Sequence, residues 1–390
     1  MALIAWRLHS AVVLAIAVTF VASHVSASPH QVHEEGAGFV GAAGCKSSSC
    51  HGGAGPKRSQ FTTWSRQDFH SRAYAVLVSA RSARIAETAG IAQAQTSARC
   101  TVCHAPLASI APARRAASVQ PDEGVSCENC HGAAGGWLRG HTRTDWTYRT
   151  RVGAGMHDLR NFYVRANACV ACHQNVDSDL ARAGHPELLF ELDGQSVAEP
   201  KHWVDGDPAS GPRQWLTGQA VALREMSWAL ARDPQASAER SRWDGLVWLL
   251  AKTLGVETMG PNPPAAATAN ADATQFSEME HTADELARRA ATWNFDENAI
   301  LTLLRRFAAA DSEFATADVS AELLARRAER LVLATERLAA AIDPALRGRL
   351  NLDPAVGLLA EDVRPLGQFD PARFVAHLQS LGAALAQAGR

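Results

Sequence analysis

Cysteine is absent from the first 44 residues and from everything after Cys172 of this 390-residue chain. Disulfides and other cysteine chemistry are therefore excluded after Cys172. Methionine is scarce at five residues, and Met156 is the one near the cysteines, so a methionine ligand has a single candidate there. Excess charge of one sign is missing too. With 38 Lys and Arg against 40 Asp and Glu, the formal charge is −2. Nothing resembles the basic stripe that nucleic acid requires, so no nucleic-acid partner is expected. Beyond the N-terminus no apolar run approaches the roughly 20 residues of a membrane span.

The N-terminus has the pattern of an export signal. Arg7 supplies the positive start, an apolar run follows from Ala11 to Ala22, and Val25-Ser26-Ala27 offers the small residues of a cleavage site. Residues 1–27 are read as a signal peptide and 28–40 as a flexible lead-in. The expected location is the periplasm, with a membrane contact only if the signal stays uncleaved.

Eight cysteines remain, in four pairs, and histidine follows the second cysteine of every pair. Cys100-Thr101-Val102-Cys103-His104, Cys127-Glu128-Asn129-Cys130-His131 and Cys169-Val170-Ala171-Cys172-His173 have the two-residue gap. The first pair is wider, Cys45 to Cys50 and then His51. Four disulfides or zinc sites would use the same cysteines. Neither requires histidine at that place. Histidine fills 15 of 390 positions, so four hits by chance is on the order of a few in a million. C-x-x-C-H is the attachment signature of c-type haem: two thiols reach the two vinyl groups of one porphyrin and the histidine reaches the iron. Four covalently bound haems c are expected, on Cys45, Cys50, Cys100, Cys103, Cys127, Cys130, Cys169 and Cys172, with His51, His104, His131 and His173 as proximal iron ligands.

The sixth ligand decides whether an iron only carries electrons or also binds small molecules. Five further histidines lie among or just after the motifs: His70, His141, His157, His185 and His202. They nearly match the need of four irons, and the residues alone do not pair them.

The fold class expected is mostly α with much irregular structure: a multihaem cytochrome c domain at 41–205, followed by a helical C-terminal domain at 206–390. In the second part, Asn298–Ala309, Ser320–Ile342 and the stretch from Phe374 to Leu385 place apolar residues at helical intervals. Pro261-Asn262-Pro263-Pro264 opens a Pro/Ala-rich break near 261–274.

The haem part resembles the tetrahaem cytochrome c554 family. The resemblance rests on Gly44-Cys45 to Cys50-His51 with Trp64 and His70-Ser71-Arg72-Ala73. It continues through Gly124-Val125-Ser126-Cys127-Glu128-Asn129-Cys130-His131-Gly132 with Arg139-Gly140-His141, and Cys169 to His173. It implies closely packed porphyrins, His70 opposite His173, His141 opposite His51, and a histidine beyond the fourth motif opposite His131, for which His185 is chosen. It also implies an open iron on His104, unless His157 or His202 fills it. The chain departs from the family in its wide first motif and its long tail. The run from Gly184-His185-Pro186 through Lys201-His202-Trp203 is more like longer multihaem relatives.

The function expected is electron transfer between redox partners outside the cytoplasm. Quinol oxidase-type complexes, oxidoreductases and other cytochromes are the partner classes. The alternative is a haem enzyme acting on a small nitrogen or oxygen species at an open iron. No distinctive catalytic motif supports it, so an electron carrier is the preferred reading and no catalytic residue is assigned.

Overall fold

The computed structural model describes residues 38–204, 210–254, 271–316 and 318–387. The signal peptide, nearly all of the lead-in and most of the Pro/Ala-rich break lie outside the described residues. Among the described residues the chain is helical, and its only extended pairing is one parallel bridge between Phe39 and Arg115.

The cysteine-bearing half is a set of short helices and tight turns. Three motifs sit on helices: α1 (Ala98–His104), α2 (Cys127–His131) and α3 (Phe162–His173). A short helix further on, α4 (Leu192–Ala198), precedes the link to the second half. Asn161 starts α3 by accepting the Tyr163 N–H (2.9 Å), the usual capping role of a short amide side chain. This half has little apolar core of its own. One cluster holds Phe39, Leu107, Val119 and Ala133, and another holds Leu77, Ala86 and Ala94. The remaining space is a cavity lined by the motifs.

The second half is a helical bundle: α5 (Ser210–Arg232), α6 (Ser237–Leu254), α7 (Ala273–Ala290), α8 (Glu297–Ala308), α9 (Ala321–Ala340), α10 (Leu352–Asp362) and α11 (Pro371–Ala386). The starts of α7, α8, α9 and α11 are capped by Asp272, Asp296, Ser320 and Asp370, each accepting a first-turn N–H. The three stripes expected from periodicity face the core: Ile300, Leu303, Leu304 and Phe307 on α8, Leu324, Ala328, Leu331 and Leu338 on α9, and Phe374, Leu378, Leu381 and Leu385 on α11. Each buried side chain of this size contributes about 1.5–3 kcal/mol. Central to the bundle is α5, which packs along α7 and is buried on nearly every side.

The apolar core of the bundle runs on into the motif-bearing half, because Phe162, Ala166 and Val170 of α3 belong to it. A buried polar knot reinforces this junction. Arg224 of α5 is fully buried and donates to Asn167 Oδ1 (2.5 Å), Asp284 Oδ1 (2.7 Å) and Glu225 Oε1 (2.7 Å). Tyr163 of α3 donates to the same Asp284 carboxylate (2.7 Å). Removing one member of such a group strands the others without solvent and costs about 3–5 kcal/mol.

The bundle also grips the segment from His185 to His202. Phe190 and Leu192 are fully buried in the common core. Arg326 of α9 holds Glu187 with two bonds (2.9 and 3.0 Å). Gln219 of α5 donates to Glu191 Oε1 (2.6 Å), Arg330 stands 3.8 Å from it, and Arg337 pairs with Asp193 (3.1 Å). Spacings of four and seven residues keep the three arginines toward one side of α9. Burial pushes the Glu191 carboxyl up to about 7, with neighbouring Asp193 adding to the effect. Burial also pushes Asp193 up to about 6, against the pull of Arg337.

The native state thus keeps a proton on Glu191 up to about pH 7, while the unfolded chain releases it near 4.5. Between those values the native state binds more protons, and stability from this group falls as pH rises. Glu191→Gln is expected to remove that fall. Relative to the parent, the variant should gain roughly 1–3 kcal/mol on going from about pH 5 to about pH 8, read by denaturant unfolding. Parallel profiles for the two chains would show that Glu191 titrates as it does in water.

Candidate haem centres

On α1, α2 and α3 the two cysteines are three residues apart and the histidine is four from the first. One helical face therefore presents all three side chains. The first motif is built differently. Cys45 ends a turn at Ala42–Gly44, and the His51 N–H donates back to the Cys45 carbonyl (3.2 Å). This bond closes the four-residue gap into a loop.

Each motif histidine faces a second histidine. The ring centroids of His51 and His141 are 6.1 Å apart, those of His173 and His70 6.0 Å, those of His104 and His185 6.4 Å, and those of His131 and His202 6.3 Å. Two metal–imidazole bonds of about 2 Å on opposite sides of one ion bring ring centres to about 6 Å. His70 and His141 stand where the resemblance implies. His185 does not: it lies against His104, and His202 takes the place opposite His131. His104 thus faces a ring instead of an open side. His157, the fifth candidate, has no such partner. Its Nδ1 bonds the Cys130 carbonyl (2.9 Å), and its ring packs over Gly132.

The reason for the exchange lies in local backbone. The helix Ser178–Arg182 ends with Gly184 at φ +101°, a conformation that excludes most side chains. The His185 N–H then bonds the Leu180 carbonyl (3.0 Å) and the Gly184 N–H bonds the Ala181 carbonyl (3.0 Å). This helix-ending turn delivers His185 toward α1. Its place there is fixed by Arg99 of α1, which pairs with Asp177 (2.9 Å) and Asp179 (2.6 Å). The chain then crosses α4 and brings His202 to α2.

A ligating histidine uses one ring nitrogen on the metal and donates the other N–H. Seven of the eight paired rings have Nδ1 engaged, which leaves Nε2 for the facing side. His51 meets Gln60 Oε1 (3.1 Å), and backbone carbonyls accept from four others. These are Ala73 for His104 (3.1 Å), Leu138 for His141 (2.6 Å), Pro186 for His185 (2.9 Å) and Pro200 for His202 (3.4 Å). The Gln195 side-chain amide of α4 lies 3.3 Å from His173 Nδ1. His70 is different, since its Nδ1 stands 3.1 Å from Asp68 and 3.3 Å from Glu199. Burial lowers the pKa of His131 and His173 to about 4, so both rings are neutral, the form that binds metal. Asp68 and Glu199 instead raise His70 to about 10, favouring the protonated ring.

The thiols also show how the motifs neighbour one another. Cys45 and Cys127 are close enough to shift each other's thiol, and so are Cys103 and Cys172. Cys130 and Cys169 are close enough to repel when charged. The first motif therefore adjoins the third, the third adjoins the fourth, and the fourth adjoins the second. None of the eight cysteines is paired in a disulfide. Among the described residues the only convergent group of three possible metal ligands is Asp68, His70 and Glu199. The cysteines do not converge as four zinc ligands would.

One continuous cavity of about 2890 Å³ is lined by all eight cysteines and all eight paired histidines. A single cofactor site is typically about 300–1,000 Å³, so this space accommodates several. The donor set, the facing rings and the cavity fit haem.

Several supporting residues were not visible in the sequence. Glu128, between the two cysteines of the third motif, is buried and accepts the N–H groups of Val40, Gly41 (2.7 Å) and Ala134 (2.7 Å). It ties the chain just before the first motif to the third. Gly124, at φ +73°, brings its backbone so close to His70 that a Cβ would stand 2.5 Å from the His70 carbonyl oxygen. The Val125 N–H bonds that same oxygen (2.9 Å). A charged residue inside a motif and a glycine just before one were the only available signals. Gln195, Asp68 and Glu199 carried none.

Residues 44–132 match the model of the family described as cytochrome c554 and c-prime. No curated protein and no solved structure matches the chain. None of the described helices is long and apolar enough to cross a membrane. The resemblance drawn from the motifs thus holds over residues 44–132, and that part of the chain is of the c-type cytochrome kind, which binds haem c covalently.

Proposed function

We propose that the chain is an exported tetrahaem cytochrome that passes single electrons between redox partners in the periplasm. The observation that carries this reading is the set of four facing histidine pairs, one for each cysteine motif. When bound, a c-type haem iron accepts and releases one electron without making or breaking a bond. The residues of the chain then have three tasks. The cysteines fix each porphyrin edge. His51, His104, His131 and His173, each with its facing partner His141, His185, His202 or His70, would hold the irons. The Nδ1 partners hold each ring in place through a change of charge.

The thiol contacts support a linear order of sites: His104/His185, then His173/His70, then His131/His202, then His51/His141. Electrons enter at one end and leave at the other. Partners are redox proteins of the quinol oxidase-type, oxidoreductase or cytochrome classes. The apolar stretch at Ala11–Ala22 before Val25-Ser26-Ala27 supports export. Turnover of a small nitrogen or oxygen species would need an iron with a free side, and His185 facing His104 argues against one.

Optical and electron paramagnetic resonance spectra of the haem-loaded protein test this reading. All four irons are expected to be low-spin and to ignore added cyanide or nitric oxide. A high-spin, ligand-binding iron in the parent would sink the wire and revive the enzyme. Single substitutions test the pairing. His185→Ala and His202→Ala should each create one high-spin iron that binds cyanide, whereas His157→Ala should create none.

A further inference from the structure

We propose that Asp68 and Glu199 make the site of His173 and His70 the most reducing of the four, so that the electron path has an uphill step in its interior. The inference rests on the tetrahaem reading above. Six other paired rings have Nδ1 against a neutral group, either a backbone carbonyl or the side-chain amide of Gln60 or Gln195. His70 alone among them faces carboxylates, and it faces two. An imidazole that donates to a carboxylate is a stronger base toward its metal. Negative charge beside the iron also favours the ferric form, which carries one more positive charge than the ferrous form. The effect is stronger where water is excluded; Asp68 is buried, while Glu199 and His70 are partly exposed.

Both carboxylates are held in position. Asp68 accepts the His70 backbone N–H (2.8 Å), which fixes it at the start of the turn Phe69–Arg72. Glu199 directly follows α4, whose first turn is anchored to the bundle by Asp193 and Arg337 (3.1 Å). The two acids approach His70 from segments more than a hundred residues apart in sequence.

The location gives the charge its consequence. By the thiol contacts, the fourth motif adjoins both the second and the third. An electron crossing the protein moves from a ferrous iron to its ferric neighbour, and no proton or bond moves with it. A most-reducing site in that position separates an electron on the His104 side from those on the His131 and His51 side. The ends fill first and the central step limits exchange between them.

The test is a spectroelectrochemical titration of the full, haem-loaded chain with dithionite as reductant, followed optically and by electron paramagnetic resonance. Glu199→Gln and Asp68→Asn keep shape and remove one acid each from the pair behind His70. Each is expected to raise the lowest of the four midpoints by about tenfold in the redox equilibrium constant, ~59 mV for one electron. The other three should stay in place and all irons low-spin. The shifted centre should be the one whose low-spin signal is lost in His70→Ala. If both variants fold, stay low-spin and leave the lowest midpoint unmoved, the proposal is overturned and the tetrahaem reading survives. If the parent lacks a low-spin centre that depends on His70, the tetrahaem reading itself fails.

Discussion

Two imidazoles must face each other across about 6 Å before one ion can sit between them. That constraint organises the first half of this protein. Three of the motif histidines come from helix ends and one from a loop. Their partners come from a turn at His70, a turn at His141, a helix stop at His185 and a crossing segment at His202. Each partner is far from its motif histidine in sequence, from 71 residues away upward. No short-range rule closes such a pair, so the whole irregular path of the chain serves to bring rings together.

The scarcity of apolar core in that half follows from the same constraint. The clusters around Phe39 and Leu77 are small, and the centre is a cavity lined by the motif cysteines and the facing histidines. A shell of this kind needs outside support. The helical half supplies it at two places: α3 shares the main core through Phe162, Ala166 and Val170, and the segment 185–202 is held by Phe190, Leu192 and the arginines of α9. Through that segment the bundle reaches His185, Gln195, Glu199 and His202. A segment without a single cysteine thus bears on three of the four facing histidine pairs.

Electrostatics differentiates sites that share one design. Carbonyls and amides leave most rings electrically similar, while Asp68 and Glu199 load His70 with negative charge. Buried acids serve different ends elsewhere. Glu128 binds backbone amides and ties two motifs together. Glu191 and Asp193 meet arginines at the junction of the two halves, and there burial outweighs the pairing.

The residues by themselves determined the chemistry. Four cysteine pairs, each followed by histidine, need no tertiary information, because attachment and proximal ligation are local to one turn of chain. The helices α8, α9 and α11 were equally legible, since each has one buried stripe and a polar face. Helix α5 was not, because a helix buried all round with Gln219, Arg224 and Ser227 inside has no stripe to read. Only the tertiary structure decided which distant histidine meets which motif: it put His185 on His104 and His202 on His131. It also decided which acids stand behind His70. The physical reason is common to both: a ligand pair and its hydrogen bonds are set by the meeting of segments far apart in sequence, and periodicity and spacing describe only neighbours along the chain.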